Sequence, residues 1–217
     1  MNSVTVRTSL QSRFGPPRDQ GARPTCLVFA ISDAHAAARG PWEALSCEYL
    51  FFQAKRRENA PPTTGAKAPF VRQALEHDGQ PLESDWEYLD ALPADLTQWV
   101  PPANIGPVFR SSSTILAGGF DEAWDTVAGG TAVLMLITIS DAFFMADGTA
   151  MVNSSEAPDP ARRHAVVGVA SGEDGGVKCL LVRNSWGETW GLQGHAWLAE
   201  PYLRPRILLM YTVNGAC

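Results

Sequence analysis

The chain has 217 residues, of which 45% are hydrophobic and 18% charged, with 7 Trp and 9 Phe. That much apolar side chain argues against disorder and fits a globular chain of one domain or of two lobes sharing an interface. A formal charge of -6 gives no general basic field for nucleic acid or anionic lipid, and no stretch approaches the roughly 20 apolar residues of a membrane span.

Residues 1–14, "MNSVTVRTSLQSRF", lack an apolar run of signal-peptide length and read as the N-terminal arm of a cytoplasmic chain or of an excised domain. Residues 15–108 read as a helical lobe. From Cys26 to Arg39, the residues Phe29, Ala30, Ala34, Ala37 and Ala38 recur at helical spacing until Gly40-Pro41 stops the run. A second helix is predicted from Ser46 to Arg57, capped by Ser46, with Leu50, Phe51 and Ala54 on its apolar face and Lys55, Arg56 and Arg57 as its solvated end. "NAPPTTGAKAP" is a loop, because its prolines and glycine cannot continue a helix. A third helix follows at about Phe70 to His77, and then "PLESDWEYLDALPADLTQWVPP" is aromatic and turn-rich, an irregular segment laid over the helices.

Residues 109–217 change character and read as a β lobe. Runs 131–139, 164–172 and 178–186 are rich in β-branched residues, the last two joined by the turn "GEDGG", and 194–203 and 206–213 add two more strands. Short strands at this spacing predict an antiparallel, barrel-like sheet. A helical lobe followed by a β lobe is an α+β arrangement, and the cleft between two such lobes is the expected site.

Four cysteines, Cys26, Cys47, Cys179 and Cys217, show no CxxC spacing, so neither a metal site, a cofactor motif nor a disulfide framework is expected. A thiol nucleophile needs a positive neighbour or a helix N-terminus to shed its proton near neutral pH. Cys26 meets one condition, because Pro24-Thr25 reads as a helix start. Cys47 and Cys179 read as core thiols, and Cys217 as an inert chain end. Of the four histidines, His35, His77 and His195 read as structural. His164 differs: it opens an apolar strand, and Asn184 in "RNSWGETWG" lies 20 residues on, after a turn and a return strand. Two antiparallel strands bring them together. An asparagine carbonyl then fixes the imidazole tautomer and leaves the other ring nitrogen for a thiol, with Trp186 and Trp190 covering the bond.

At this point the sequence resembles the papain-like cysteine peptidases, through three motifs in order: Gln20-Gly21 followed by Cys26, the His164-Ala165-Val166 strand start, and Asn184-Ser185-Trp186-Gly187 with Trp190-Gly191 beyond it. The resemblance implies a two-lobe fold with the active site in the interlobe cleft. Cys26 is then the nucleophile, His164 the general base and acid, and Asn184 its orienter, while the Gln20 amide and the Cys26 N–H face the oxyanion. It implies a peptide or protein substrate, with Gly65-Ala66 as the substrate-binding loop and Arg163 and Trp186 lining the cleft. The oligomeric state stays open.

Two departures stand out. The family's Cys-Gly-Ser-Cys-Trp reads Arg23-Pro24-Thr25-Cys26-Leu27 here. The loop disulfide is therefore missing, as in intracellular bacterial members, which agrees with a reducing compartment. Arg162-Arg163 precede the histidine where the family often has an acid or amide; they read as a solvated loop end or, alternatively, Arg163 selects an acidic group on the substrate. The same residues serve hydrolysis or acyl transfer to an amine in a biosynthetic pathway, and a non-catalytic peptide-binding module of this fold is the remaining alternative.

Overall fold

The computed structural model describes residues 4–147 and 151–215; Cys217 lies outside them. In the helical lobe, α1 spans Cys26–Arg39 and stops at Gly40, whose φ of 119° suits glycine. Helix α2 spans Cys47–Glu58, with Ser46 as its cap accepting from the Tyr49 N–H at 3.1 Å, and ends on Asn59 in the left-handed region. Helix α3 spans Ala68–His77. It starts two residues before Phe70 because Pro69 falls in the first turn, where its missing N–H has no helical partner to lose. The reading of Lys55, Arg56 and Arg57 as a solvated helix end needs correction at Lys55, whose side chain is 1% exposed. Its ammonium donates to Glu58 at 3.1 Å, to Thr64 Oγ1 at 3.1 Å and to Gly65 O at 3.4 Å. It thereby holds the "TTGAK" loop against α2.

The aromatic segment after α3 does lie over the first lobe. Trp86 and Trp99 are buried against Phe52 at ring separations of 5.7 and 5.1 Å, and Tyr88 meets Phe29 edge-on at 4.7 Å. Such pairs add about 1 kcal/mol each beyond the area they bury.

The β lobe contains, among the described residues, one eight-stranded sheet. Its strands are β1 (Thr5–Ser9), β2 (Ser113–Leu116), β3 (Val133–Thr138), β4 (Met151–Val152), β5 (Arg163–Asp174), β6 (Val177–Arg183), β7 (His195–Ala199) and β8 (Ile207–Val213). The order is β2-β8-β3-β5-β6-β7-β4, with β1 pairing β5 off this path. All pairs are antiparallel except β4 with β7. The sheet is open rather than closed into a barrel. The arm supplies β1, whose 5-residue run carries no apolar stripe and is mostly exposed; backbone pairing with β5 orders it, helped by the Thr8 hydroxyl donating to Ala128 O at 3.0 Å and Arg7 lying over the Trp124 ring. Helix α4 (Gly119–Ala128), with Phe120, Ala123, Trp124 and Val127 at helical spacing on its buried face, covers one side of the sheet.

Two strands end earlier than their composition suggests. The 194–203 run stops at Ala199 and turns into α6 (Glu200–Leu203), because Pro201 has no N–H for the ladder. Strand β6 stops at Arg183, which frees Asn184, Ser185 and Trp186 as a loop. A short α5 (Asp141–Phe144) brings Phe143 and Phe144 toward that loop. Helix α1 is the hinge of the architecture: Leu27, Phe29 and Ala30 share one core with α2 and α3 on one side and with Ala165, Val167 and Leu181 of the sheet on the other.

Candidate active site

Cys26 is the first residue of α1, and its cap Thr25 makes no side-chain bond to the helix N–H groups. The Thr25 hydroxyl instead meets the Tyr88 hydroxyl at 2.7 Å. The unsatisfied first-turn donors therefore stay available to a charge on the sulfur. Burial pushes the Cys26 thiol up, while the backbone N–H groups of Ala165, Leu27 and Cys26 itself pull it down. The Ala165 contact sets the residue after His164 against the sulfur.

His164 and Asn184 are 4% and 2% exposed, and His164 Nε2 lies 2.6 Å from Asn184 Oδ1. Asn184 Oδ1 also accepts from the Ser185 N–H at 2.8 Å, which fixes the amide orientation. Because that oxygen can only accept, Nε2 carries the proton and Nδ1 is the ring atom left for the thiol. The geometry follows from register: Val167 pairs with Arg183 across β5 and β6, so the start of one strand lies beside the loop leaving the other. Trp186 covers the imidazole at a ring separation of 4.6 Å. Trp190 stands behind it, edge-on to Trp186 at 5.7 Å, and the second cover is Phe143 at 5.9 Å. Phe143 was legible only as an apolar residue between strands.

Gln20 is buried at 7% exposure and placed from both lobes. Its Nε2 donates to Arg23 O at 2.8 Å, its Oε1 accepts from Ser185 Oγ at 2.7 Å, and its backbone N–H donates to Ser185 O at 2.8 Å. One amide hydrogen remains for a ligand in the cleft. Gln20, Cys26, Gly65, Ala66, Arg163, His164 and Trp186 all line one cleft of about 650 Å³ between the lobes. Gly65 and Ala66 form its wall opposite β5.

Charged residues that the motif reading did not single out tie the site together. Asp33 on α1 accepts from Arg18 Nη2 at 2.6 Å and from Arg183 Nε at 2.6 Å, and Arg183 also donates to Gly15 O and Pro16 O at 2.7 and 2.6 Å. This buried ion network joins α1 to the residue before Asn184. It keeps Asp33 below the usual carboxylate range despite burial. An aspartate on the apolar face of an alanine-rich helix was the available signal. On the other flank, Arg23 and Glu48, 6% and 0% exposed, make a bidentate pair at 2.5 and 2.9 Å. Glu48 also accepts from Trp99 Nε1 at 2.6 Å and the Leu89 N–H at 3.0 Å. Cys47 and Cys179 are buried free thiols, as expected.

Burial holds His164 and His35 down at about 4, against 6.5 for an ordinary imidazole; His35 keeps one bond, to Gln80 Oε1 at 3.0 Å. The unfolded chain thus takes up protons before the folded one does. The stability these neutral rings contribute is present above pH 6.5 and lost as the pH falls towards 4, by about 3 kcal/mol for each ring at pH 4. Urea midpoints should drop steeply over that interval, with a shallower slope in His35→Gln; a midpoint that is flat from pH 6.5 to 4 would contradict the burial argument.

A thiol at the head of a helix in one lobe and a histidine on a strand of the other line one cleft of a two-lobed α+β fold. The model of the papain family cysteine proteases matches residues 114–202, which hold His164 and Asn184. Over 185 residues the chain is 26% identical to the thiol protease aleurain of Arabidopsis thaliana and 25% identical to the oryzain gamma chain of Oryza sativa subsp. japonica. Each match covers 83% of this chain and 51% or 50% of the relative, so the chain spans about half the length of these curated relatives. Among solved structures, xylellain, a cysteine protease from Xylella fastidiosa, superposes with a TM-score of 0.75 at 19% identity, covering 98% of this chain and 87% of that one. Digestive procathepsin L 3 of Tenebrio molitor gives 0.75 at 20%, covering 94% and 68%. The chain has the papain-like two-lobe fold, and its second half is similar to the papain family cysteine proteases.

Proposed function

We propose that the chain is a cysteine peptidase that hydrolyses peptide bonds through a Cys26–His164–Asn184 triad and an acyl-enzyme. The observation that carries the reading is the buried 2.6 Å bond from His164 Nε2 to Asn184 Oδ1, which leaves Nδ1 as the ring nitrogen for the thiol of Cys26, a residue lining the same cleft at a helix N-terminus. His164 takes the thiol proton as Cys26 Sγ attacks the carbonyl carbon, then returns it to the leaving amine. Water, deprotonated by the same imidazole, releases the acyl group. The free Gln20 amide hydrogen and the Cys26 N–H hold the oxyanion in both steps. Gly65 and Ala66 run beside the extended substrate, and Trp186 and Arg163 meet it across the cleft. No described helix is long and apolar enough to cross a membrane; the three described free cysteines support a reducing, cytoplasmic setting.

The test is selective labelling together with product analysis. An epoxide inactivator at neutral pH should modify Cys26 stoichiometrically and block cleavage of a fluorogenic peptide, while Cys47 and Cys179 stay intact. Equal rates at all three thiols would remove the basis for a nucleophile. Products carrying an added amine in place of water would move the reaction to acyl transfer.

A further inference from the structure

Strand alternation puts Arg163 on the same face of β5 as Ala165 and Val167, and those two residues belong to the core shared with α1. Because the Ala165 N–H reaches the Cys26 sulfur, Arg163 is the next side chain beyond the nucleophile on that face, and it lines the cleft. Its Nε donates to Pro160 O at 2.7 Å. Its two terminal nitrogens have no protein partner among the described residues, and no carboxylate pairs with it.

The charge of the cleft wall is one-sided. Lys67, Arg162 and Arg163 line it, with no aspartate or glutamate. Lys67, which is exposed, shares Glu58 at 3.2 Å with the buried Lys55, and Arg162 pairs with Asp141 at 2.5 Å and Asp159 at 3.7 Å. Among the described residues, Arg163 is therefore the lining cation with no carboxylate partner. A guanidinium with a free fork matches a carboxylate in shape as well as charge.

The geometry points to a cleft that selects substrates carrying a carboxylate next to the scissile bond, with Arg163 as the residue that reads it. This rests on the peptidase reading for its physiological meaning. The carboxylate is either an Asp or Glu side chain or the chain-terminal group of a short leaving segment.

The experiment compares the intact protein with Arg163→Gln and Arg163→Lys on peptide pairs differing only as Glu against Gln at each residue flanking the cleaved bond. Each peptide is made as the free acid and as the C-terminal amide. Wild type should favour the carboxylate by about fivefold in kcat/KM at low salt, the size expected of an exposed ion pair, and the preference should shrink as salt rises. It should fall to near unity in Arg163→Gln and survive in part in Arg163→Lys. A preference carried by Glu over Gln assigns the side chain, and one carried by acid over amide assigns the chain end; no preference in wild type, or one unchanged in Arg163→Gln, overturns the inference. If no peptide is turned over, the rates of Cys26 alkylation by iodoacetate and by iodoacetamide provide the same comparison. Their ratio should drop about fivefold in Arg163→Gln, and an unchanged ratio overturns the inference independently of peptidase activity.

Discussion

Cys26→Ala should reduce peptide turnover by at least about 10⁵-fold, because in the proposed mechanism Cys26 alone forms the acyl bond and residual hydrolysis rests on oxyanion binding. The fold should not change. Alanine is the best helix former, and Cys26 is only part-buried in the first turn of α1, so melting should shift by no more than about 2 °C. His164→Ala should be nearly as damaging, and the double variant no worse than either single one, since the two residues act as a unit. Gln20→Ala should be graded differently, with kcat lowered by about 10²-fold, because one of two oxyanion donors is lost while the nucleophile stays. Initial rates with a fluorogenic peptide, taken beside thermal melts, separate these outcomes. Turnover retained in Cys26→Ala would refute the mechanism.

The positions of the candidate residues were legible in the sequence because Cys26 and His164 sit where a helix and a strand begin and Asn184 where a strand ends. Gly40 and Ser46 punctuate α1 and α2, so Cys26 at a helix head could be placed from sequence. The turn at Gly175 set the β5–β6 pairing that joins His164 to Asn184. What stayed hidden depends on contacts between segments far apart in the chain. Strand β1 has no apolar pattern of its own and exists because β5 offers a partner. Lys55 looks like any exposed helix-end lysine until Glu58, Thr64 and Gly65 O surround it. Asp33 and Arg183 are 150 residues apart, and no local period connects them. The openness of the sheet likewise depends on which strands find partners, which strand spacing does not encode.

The largest stability effect should fall on the buried Arg23–Glu48 pair. Arg23 precedes Cys26 by three residues, and Glu48 lies in the first turn of α2, so their bidentate bond ties the nucleophile loop to the second helix. Arg23 Nη1 also donates to Leu89 O at 2.6 Å, and its guanidinium lies 4.8 Å from the centre of the Tyr88 ring. Tyr88 in turn donates to Gln20 O at 2.8 Å, and the carbonyl of Arg23 accepts the Gln20 amide. Removing one partner leaves a charge buried with no counterion, so Arg23→Ala or Glu48→Ala should each cost about 3–5 kcal/mol. Replacing both, Arg23→Met with Glu48→Leu, removes both desolvation penalties and should recover much of that loss, which a double-mutant cycle in urea measures. Turnover should not recover in parallel. The backbone around Arg23 O also positions the Gln20 amide, and without the ionic tie that donor loses its fixed direction, so kcat should stay several-fold low while KM changes little. If the double variant regains both stability and kcat, the pair is only a staple; if stability returns and kcat does not, it also aims the oxyanion donor.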